Sequence, residues 1–294
     1  MNNELAYWIT LAHLPNWSLY NINSLVVKFH HDNHLSIEEF FNLPELVWST
    51  AYQLTEAQIH DVKNARTELA GNAFLAESMI NQGYEIIPII DADYPQIIKT
   101  NLKVAFTPTV LYIKGNKLLL RERSFSVDAS GLFTPQSIMF AKNMAIQTDN
   151  NSVLVCGSEK NIGKYTLDAV IAHHGKSIIV LQQGIMMFST GFKTYYRQII
   201  NGEMLILSAT HPRATLQTGK EKGCENIING LSAAIYIAQT SIADDLWTGA
   251  INGLKKGRSI FARVPESGEP EDNLTLIKNG AIPVDITGKP LKSM

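Results

Sequence analysis

The run SVLVCGSEKNIGKYT (Ser152–Thr166) sets Gly157, Lys160, Gly163 and Lys164 between an apolar stretch and the start of a helix-like pattern. Glycines let a backbone approach a ligand closely, and a helix start offers unpaired N–H groups to an anion. Two lysines beside such a start would suit a phosphodiester or another anion; the plain alternative is two solvated loop lysines. A nucleoside-triphosphate loop needs four residues between its first glycine and its Gly-Lys pair, with Ser or Thr directly after the lysine. Here Gly157 and Gly163 enclose five residues, and Tyr165 separates Lys164 from Thr166. Triphosphate hydrolysis is therefore excluded, and the glycine spacing also fails the dinucleotide fingerprint.

The other chemically suggestive sets are weaker. His30, His31 and His34 lie in FHHDNH; His30 and His34 would share a face for a metal if that segment were helical, but Asp32, Asn33 and the Ser36 cap read as a polar loop between helices. His173 and His174 precede Gly175 at an expected helix C-terminus, where a histidine suits the dipole. Ser208 and His211 in LSATHP would need an orienting acid to act as nucleophile and base. Asp244 and Asp245 read as helix-start acids, and Glu266–Asn273 (ESGEPEDN) as a solvated acidic loop. Cys156 and Cys224 are too few for a disulfide framework or a zinc pattern, and Cys156, ending an apolar run, reads as a small buried residue. No catalytic, metal or cofactor set is complete, so a non-enzymatic binding protein is expected.

The 294 residues carry 25 Lys and Arg against 27 Asp and Glu, a formal net charge of -2, so a basic field over the whole molecule is excluded. Any contact with nucleic acid must come from a local patch. The candidates are Lys160, Lys164, Lys193 and Arg197, with Lys220 and Lys222 in the next loop and Glu159, Glu221 and Glu225 opposing them. Tyr165, Phe192, Tyr195 or Tyr196 could stack on bases, although such aromatics more often pack in a core.

Positioning these residues requires a rigid scaffold. Residues 1–83 read as a bundle of helices: Ser36 with Glu39, and Thr55 with Gln58, have capping-box spacing, the second opening one long helix that Gly83 stops. After Gly83 the pattern changes to apolar runs such as YEIIPII, SFSVDAS, SVLVCGS, SIIVLQQG and MLILSA, alternating with helix-like segments. That alternation predicts a doubly wound α/β domain over residues 84–294, with a mostly parallel sheet. No apolar run reaches membrane-spanning length, and the N-terminus has no basic leader, so a cytoplasmic protein is expected.

Several motifs, in order and nearly without gaps, resemble the DNA-processing family DprA/Smf. YP (Tyr94, Pro95) and PTVLYIKGN, through Pro108, Leu111, Tyr112, Lys114, Gly115 and Asn116, resemble the family's P-x-x-L-Y-x-K-G-N. CGSEKNIG is similar to its V-S-G-L-A-K-G-I-D through Gly157, Lys160 and Ile162, and HGKSIIVLQQGI to its next strand through Gly175, Lys176, Ile178, Val180 and Gly184. ENIINGLS and KKGRSIFARVP keep Ile227, Ile228, Gly230, Leu231, Ser232, Gly257, Arg258, Phe261 and Ala262. The resemblance implies a small sterile-alpha-motif-like helical domain before an extended Rossmann-like domain. It also implies single-stranded DNA binding, delivery of incoming strands to a RecA-type recombinase during transformation, and a homodimer. The strand would be held at Gly157, Lys160, Gly163, Lys164, Lys193 and Arg197. The family's C-terminal winged helix is expected to be absent.

The departures fall on the polar positions. Gly131 stands where the family's G-S-R supplies an arginine, and Cys224, Glu225 and Asn226 replace its R-N-R. Fewer cations mean weaker strand binding and a shallower salt dependence. Two rivals therefore stand beside DNA binding. One is a diverged paralogue serving as a protein-interaction or sensor module. The other is a nucleoside-monophosphate hydrolase, although that class's P-G-G-x-G-T loop is missing here.

Overall fold

The computed structural model describes residues 3–146, 152–158, 161–216 and 221–291. They form two compact units. The first comprises Met1–Lys114 with Gln183–Phe188 and Leu207–Gln217; the second comprises Gly115–Gln182, Ser189–Ile206 and Thr218–Met294.

The first unit opens with α1 (Asn3–Ala12), α2 (Leu19–Val26), α3 (Ile37–Asn42), α4 (Glu45–Thr50), α5 (Glu56–Ala65) and α6 (Leu69–Asn81). Both expected capping boxes form: Ser36 and Glu39 satisfy each other's backbone N–H at the start of α3, as do Thr55 and Gln58 at α5. Phe29, Phe40, Phe41, Trp8 and Trp48 fill the space between these short helices, and Trp48 donates its indole N–H to Phe40 O. Each helix is too short to persist alone, so this aromatic core is what holds them.

Two local expectations fail. The long helix beginning at Thr55 is interrupted by a 3₁₀ turn at Arg66–Glu68. There the Arg66 guanidinium donates to Phe41 O and lies over the Trp48 ring, so tertiary bonding to α3 bends the chain against its periodicity. The histidine segment is not a loop: Val27–Asp32 extends α2 as a π-helical turn, closed by Asn33 N–H to Lys28 O. His34, at φ 54, has already left the helix, so His30 and His34 share no helical face. No group of three or more metal-ligating side chains occurs among the described residues.

β1 (Glu85–Pro88) pairs antiparallel with β2 (Val110–Gly115), from Glu85 opposite Ile113 to Pro88 opposite Val110. Between them runs α7 (Gln96–Phe106). Buried Asn23 donates to Val104 O and Thr107 O and accepts from Thr109 Oγ1, tying α2 to the end of α7.

The second unit carries β3 (Arg123–Ala129), α8 (Pro135–Asn143), β4 (Ser152–Gly157), α9 (Ile162–Ala172), β5 (Ser177–Leu181), α10 (Ser189–Thr194), α11 (Tyr196–Ile200) and β6 (Met204–Ser208), whose last two residues count with the first unit. It continues through α12 (Glu221–Leu231), β7 (Ala234–Gln239), α13 (Asp245–Lys255), β8 (Ser259–Arg263), α14 (Asp272–Lys278) and β9 (Ile282–Val284). The strand order is β6-β5-β4-β3-β7-β8-β9. The pairs β4/β5, β3/β4, β3/β7, β7/β8 and β8/β9 are parallel. This is the doubly wound, mostly parallel α/β architecture expected. The chain winds outward in one direction from β3 to β6, then returns to β7 and winds the other way, so the topological switch lies between β3 and β7. Ligands of such folds bind at the carboxyl ends of the strands near that switch.

On β7 and β8 the strand positions facing the helices are apolar, as a doubly covered sheet favours: Ile235, Ile237, Ile260 and Ala262 pack with Ala250 and Leu276, and Trp247 of α13 closes the cluster. Arg258 secures the end of α12 by donating to Asn229 O and Ser232 O. No helix among the described residues is long and apolar enough to cross a membrane.

Candidate functional site

β4 delivers Gly157 to the carboxyl edge of the sheet, and α9 begins five residues later, so the expected strand–turn–helix geometry is present. Lys160 and Glu159 lie outside the described residues, as does Lys220. Gly163 sits in a tight space: a Cβ there would come within 3.2 Å of Asn161 Oδ1 and 3.3 Å of the Cys156 Cβ. Glycine at the second position of α9 lets the helix seat closely against β4.

Lys164 is on the first turn of α9, but it is engaged: its ammonium pairs with Asp168 one turn along. Its charge is thus partly answered inside the protein, which sequence spacing alone had left open. Tyr195, at the junction of α10 and α11, sits close enough to feel the same groups. Burial raises its phenol pKa; Lys164 opposes that rise while Cys156 and Asp168 add to it. The start of α9 and the α10–α11 pair are therefore neighbours. Lys193 and Arg197 are exposed on those two helices, with exposed Tyr196 between them in sequence. Tyr165 is partly exposed beside Lys164.

Three other sequence candidates have structural roles. Burial, followed by the nearby Cys224, pushes the Cys156 thiol up to about 12, so it stays protonated and unreactive at neutral pH. Cys224 is also buried and donates to Val180 O. Ser208 donates its hydroxyl to Gln183 O and accepts from Thr210 N–H, while His211 Nδ1 faces Arg213 N–H. Serine and histidine each serve a turn, and no nucleophile–base bond joins them.

The loop after β3 carries Gly131 at the place of the expected arginine. Gly131 has φ +74, a conformation that disfavours any side chain. The loop is laced down on both sides. Ser130 N–H donates to Gln239 O, Ser241 N–H to Ser130 Oγ, and Gln239 Nε2 to Leu132 O at 2.9 Å. Thr134 caps α8 with its oxygen and donates its hydroxyl to Glu269 at 2.9 Å.

That last bond corrects a sequence expectation. The ESGEPEDN loop is not solvated throughout, because Glu269 turns inward and its carboxylate grips the guanidinium of Arg263 through two bonds of 2.7 and 2.8 Å. Arg263 is only 2% exposed and also donates to Ala238 O. Burial alone would raise the Glu269 pKa. Hydrogen bonds from Arg263, Glu266 N–H and Thr134 outweigh it and hold the carboxyl at about 2. Nothing in the composition of that loop signals which of its acids is buried.

Asp128, next to last in β3, is the opposite case. Burial first, and the charge of Glu225 second, push its carboxyl up to about 6 from a usual 3.8. A raised acid binds its proton more tightly in the folded state, so the contribution of this group to stability is greatest below pH 3.8 and is lost as pH rises through 6. Asp128→Asn removes that cost. The variant is expected to be more stable than the parent by about 3 kcal/mol at pH 7.5, with the gap closing towards pH 4. Urea midpoints read by Trp247 fluorescence at both pH values check this; a constant gap would contradict it.

A doubly wound α/β domain with cations and aromatics on helices at the carboxyl edge of its sheet is the class of protein defined so far. Residues 85–292 match the family model for DNA recombination-mediator protein A. The chain belongs to that family. A curated relative, the DNA processing protein DprA of Streptococcus pneumoniae, is 23% identical over 181 residues, which cover 62% of this chain and 63% of the relative. The crystal structure of DprA from the same species is similar in fold, with TM-score 0.66 and 20% identity over 97% of this chain and 95% of that one. A second similar structure, described as revealing a single-stranded DNA binding mode, is DprA of Helicobacter pylori. Its TM-score is 0.55, with 18% identity over 68% of this chain and 90% of that one.

Proposed function

We propose that this chain is a DNA-processing protein that binds single-stranded DNA at the carboxyl edge of its parallel sheet, by contact rather than by catalysis. The observation that carries this reading is the exposed run Lys193–Tyr196–Arg197 beside the start of α9, two exposed cations and an exposed aromatic residue close together in the chain. Cations supply sequence-independent affinity for phosphates, and an exposed aromatic supplies a stacking surface that accepts any base. Family membership supports the reading. Lys160 and Lys164 complete the cradle, with Lys164 exchanging Asp168 for a phosphate, and Gly157 and Gly163 let the backbone come close.

The test is fluorescence anisotropy of a labelled oligo-dT at two salt concentrations. Reversing Lys193 and Arg197 to glutamate is expected to weaken binding at least tenfold at low salt and to flatten the salt slope by about 1.4, at 0.7 per phosphate contact on a single strand. Reversing Lys160 and Lys164 as well should abolish gel-shift retention. Unchanged retention would move the site elsewhere.

Beyond binding, the proposed role is to protect incoming strands and hand them to a RecA-type recombinase, in the cytoplasm and as a homodimer. The family resemblance supports this, and co-sedimentation with the recombinase on a strand tests it. The Lys164–Asp168 pair and the glycine at 131 favour one second reading, a protein-interaction module without DNA affinity. Absence of any oligonucleotide binding at 50 mM salt, about where cation contacts are strongest, would select it.

A further inference from the structure

The central strand of a parallel sheet is normally apolar on both faces, yet β3 reads Ser124-Phe125-Ser126-Val127-Asp128. The alternation places Ser124, Ser126 and Asp128 on one face. That face lies under α12: Ser124 donates its hydroxyl to Leu231 O at the helix end, and Asp128 feels Glu225 nearer the helix start. Ser124 is thereby accounted for. Ser126 is 1% exposed, and its hydroxyl has no hydrogen-bond partner among the described residues. A buried polar group left unpaired costs stability and calls for an explanation. Asp128 likewise has no hydrogen-bond partner among the described residues, and the charge acting on it is a second acid rather than a cation.

The column rises to the topological switch, where the loops after β3 and β7 are tied together by Ser130, Gln239 and Ser241. On these two loops stand aliphatic side chains that the fold holds outward: Leu132, 93% exposed, and Ile242, 52% exposed. Leu132 is not on a loose tip, because its carbonyl is bonded to Gln239 and its neighbour Gly131 fixes the turn.

We propose that this end of the sheet takes up a guanine base, its faces against Leu132 and Ile242 and its N–H edge on the Asp128 carboxylate. The reading rests on the proposed strand binding, and it adds base selection to it. An anion is disfavoured here because Asp128 and Glu225 would repel it, so this is a different site from the cationic run on α10 and α11. The occupant must be an uncharged, flat group that donates hydrogen bonds. Among the bases, guanine alone presents two adjacent donors, N1–H and the 2-amino group, which match the two oxygens of a carboxylate; bases in single strands are read on that edge.

The experiment compares a labelled oligo-dT with the same strand bearing interspersed deoxyguanosines, and with one bearing deoxyinosines, which lack the 2-amino group. Free guanosine is titrated in parallel by calorimetry. The parent is expected to bind the guanine strand about tenfold tighter than oligo-dT, in line with a bidentate base contact, and the inosine strand in between. Asp128→Asn should erase the preference while leaving oligo-dT affinity intact, which also shows that the variant is folded; Leu132→Ser should reduce it. Equal affinity of the parent for all three strands, or a preference that survives Asp128→Asn, overturns the inference. If no strand binds but guanosine does so through Asp128, the base site stands and the strand-binding reading falls. If neither binds, both fall.

Discussion

Glu269→Gln is expected to cost the second unit about 3–5 kcal/mol, because it strands the Arg263 guanidinium, 2% exposed, without its counter-charge. Removing one partner of a buried pair leaves the desolvation of the other uncompensated, whereas removing both does not. The double variant Arg263→Met, Glu269→Met should therefore recover most of the loss. Glu266→Gln, on the exposed part of the same loop, should change little. Strands β7 and β8 carry the Ile235–Ile260 cluster of this unit, so amide hydrogen exchange along these strands during urea unfolding reports the right unit.

The pH dependence has a definite sign. A carboxyl held at about 2 rather than 4.5 contributes stability that is fully present above pH 4.5 and is lost as pH falls through 2. Two and a half units correspond to about 3 kcal/mol. The parent should thus lose stability across that window, with Glu269→Gln losing correspondingly less. A variant as stable as the parent at pH 7 would mean that the pair is not a net holding contact. Because Glu269 also accepts from Thr134, at the foot of the loop bearing Leu132, the same variant should loosen that loop.

Gly184→Ala is expected to be the most damaging small change in the first unit. Its φ is ordinary, so the demand for glycine is spatial: an added Cβ would lie far inside van der Waals contact with the backbone oxygens of His211 and Pro212. Those atoms cannot swing aside as a side-chain tip would, because the segments are laced together by Gly184 N–H to Ala214 O at 2.8 Å and Met186 N–H to Pro212 O at 3.1 Å. Relief requires breaking these bonds, and a cost of about 3 kcal/mol or more follows from overpacking plus lost pairing. Gly71→Ala is the control. It sits within α6 with nothing near its would-be Cβ, so the added methyl should stabilise by about 1 kcal/mol through helix propensity. Thermal unfolding followed by Trp8 and Trp48 measures both; equal effects at the two glycines would refute the spatial account.

Local features were legible from the chain alone because they depend on residues within a turn of one another. Ser36 with Glu39 and Thr55 with Gln58 cap as their spacing predicts. The apolar runs became strands, those from β3 onward in a mostly parallel sheet and YEIIPII in an antiparallel pair, and the Gly157–Gly163 turn joins a strand to a helix as read. The resemblance motifs were readable for the same reason: they are strings of strand and turn residues, and the family match over residues 85–292 agrees with them. Spacing also excluded a triphosphate loop, since that chemistry tolerates no inserted residue.

Burial and pairing were decided by the tertiary structure. Glu269 meets Thr134, 135 residues away, and Gln239 meets Leu132, 107 residues away; no window along the chain contains both partners. Lys164 lies within a turn of Asp168, but whether the two would close on each other depended on what surrounds α9. Arg66 broke a helix because a carbonyl of another helix and the Trp48 ring were within reach. The serines and the acid of β3 were read as part of an apolar run, and only the switch-point topology put them beneath α12. A sequence fixes which groups can bond over a few ångströms of local chain. Which groups lose water, and which charges are answered, follows only when distant segments are brought into contact, because desolvation is a property of the whole packed neighbourhood.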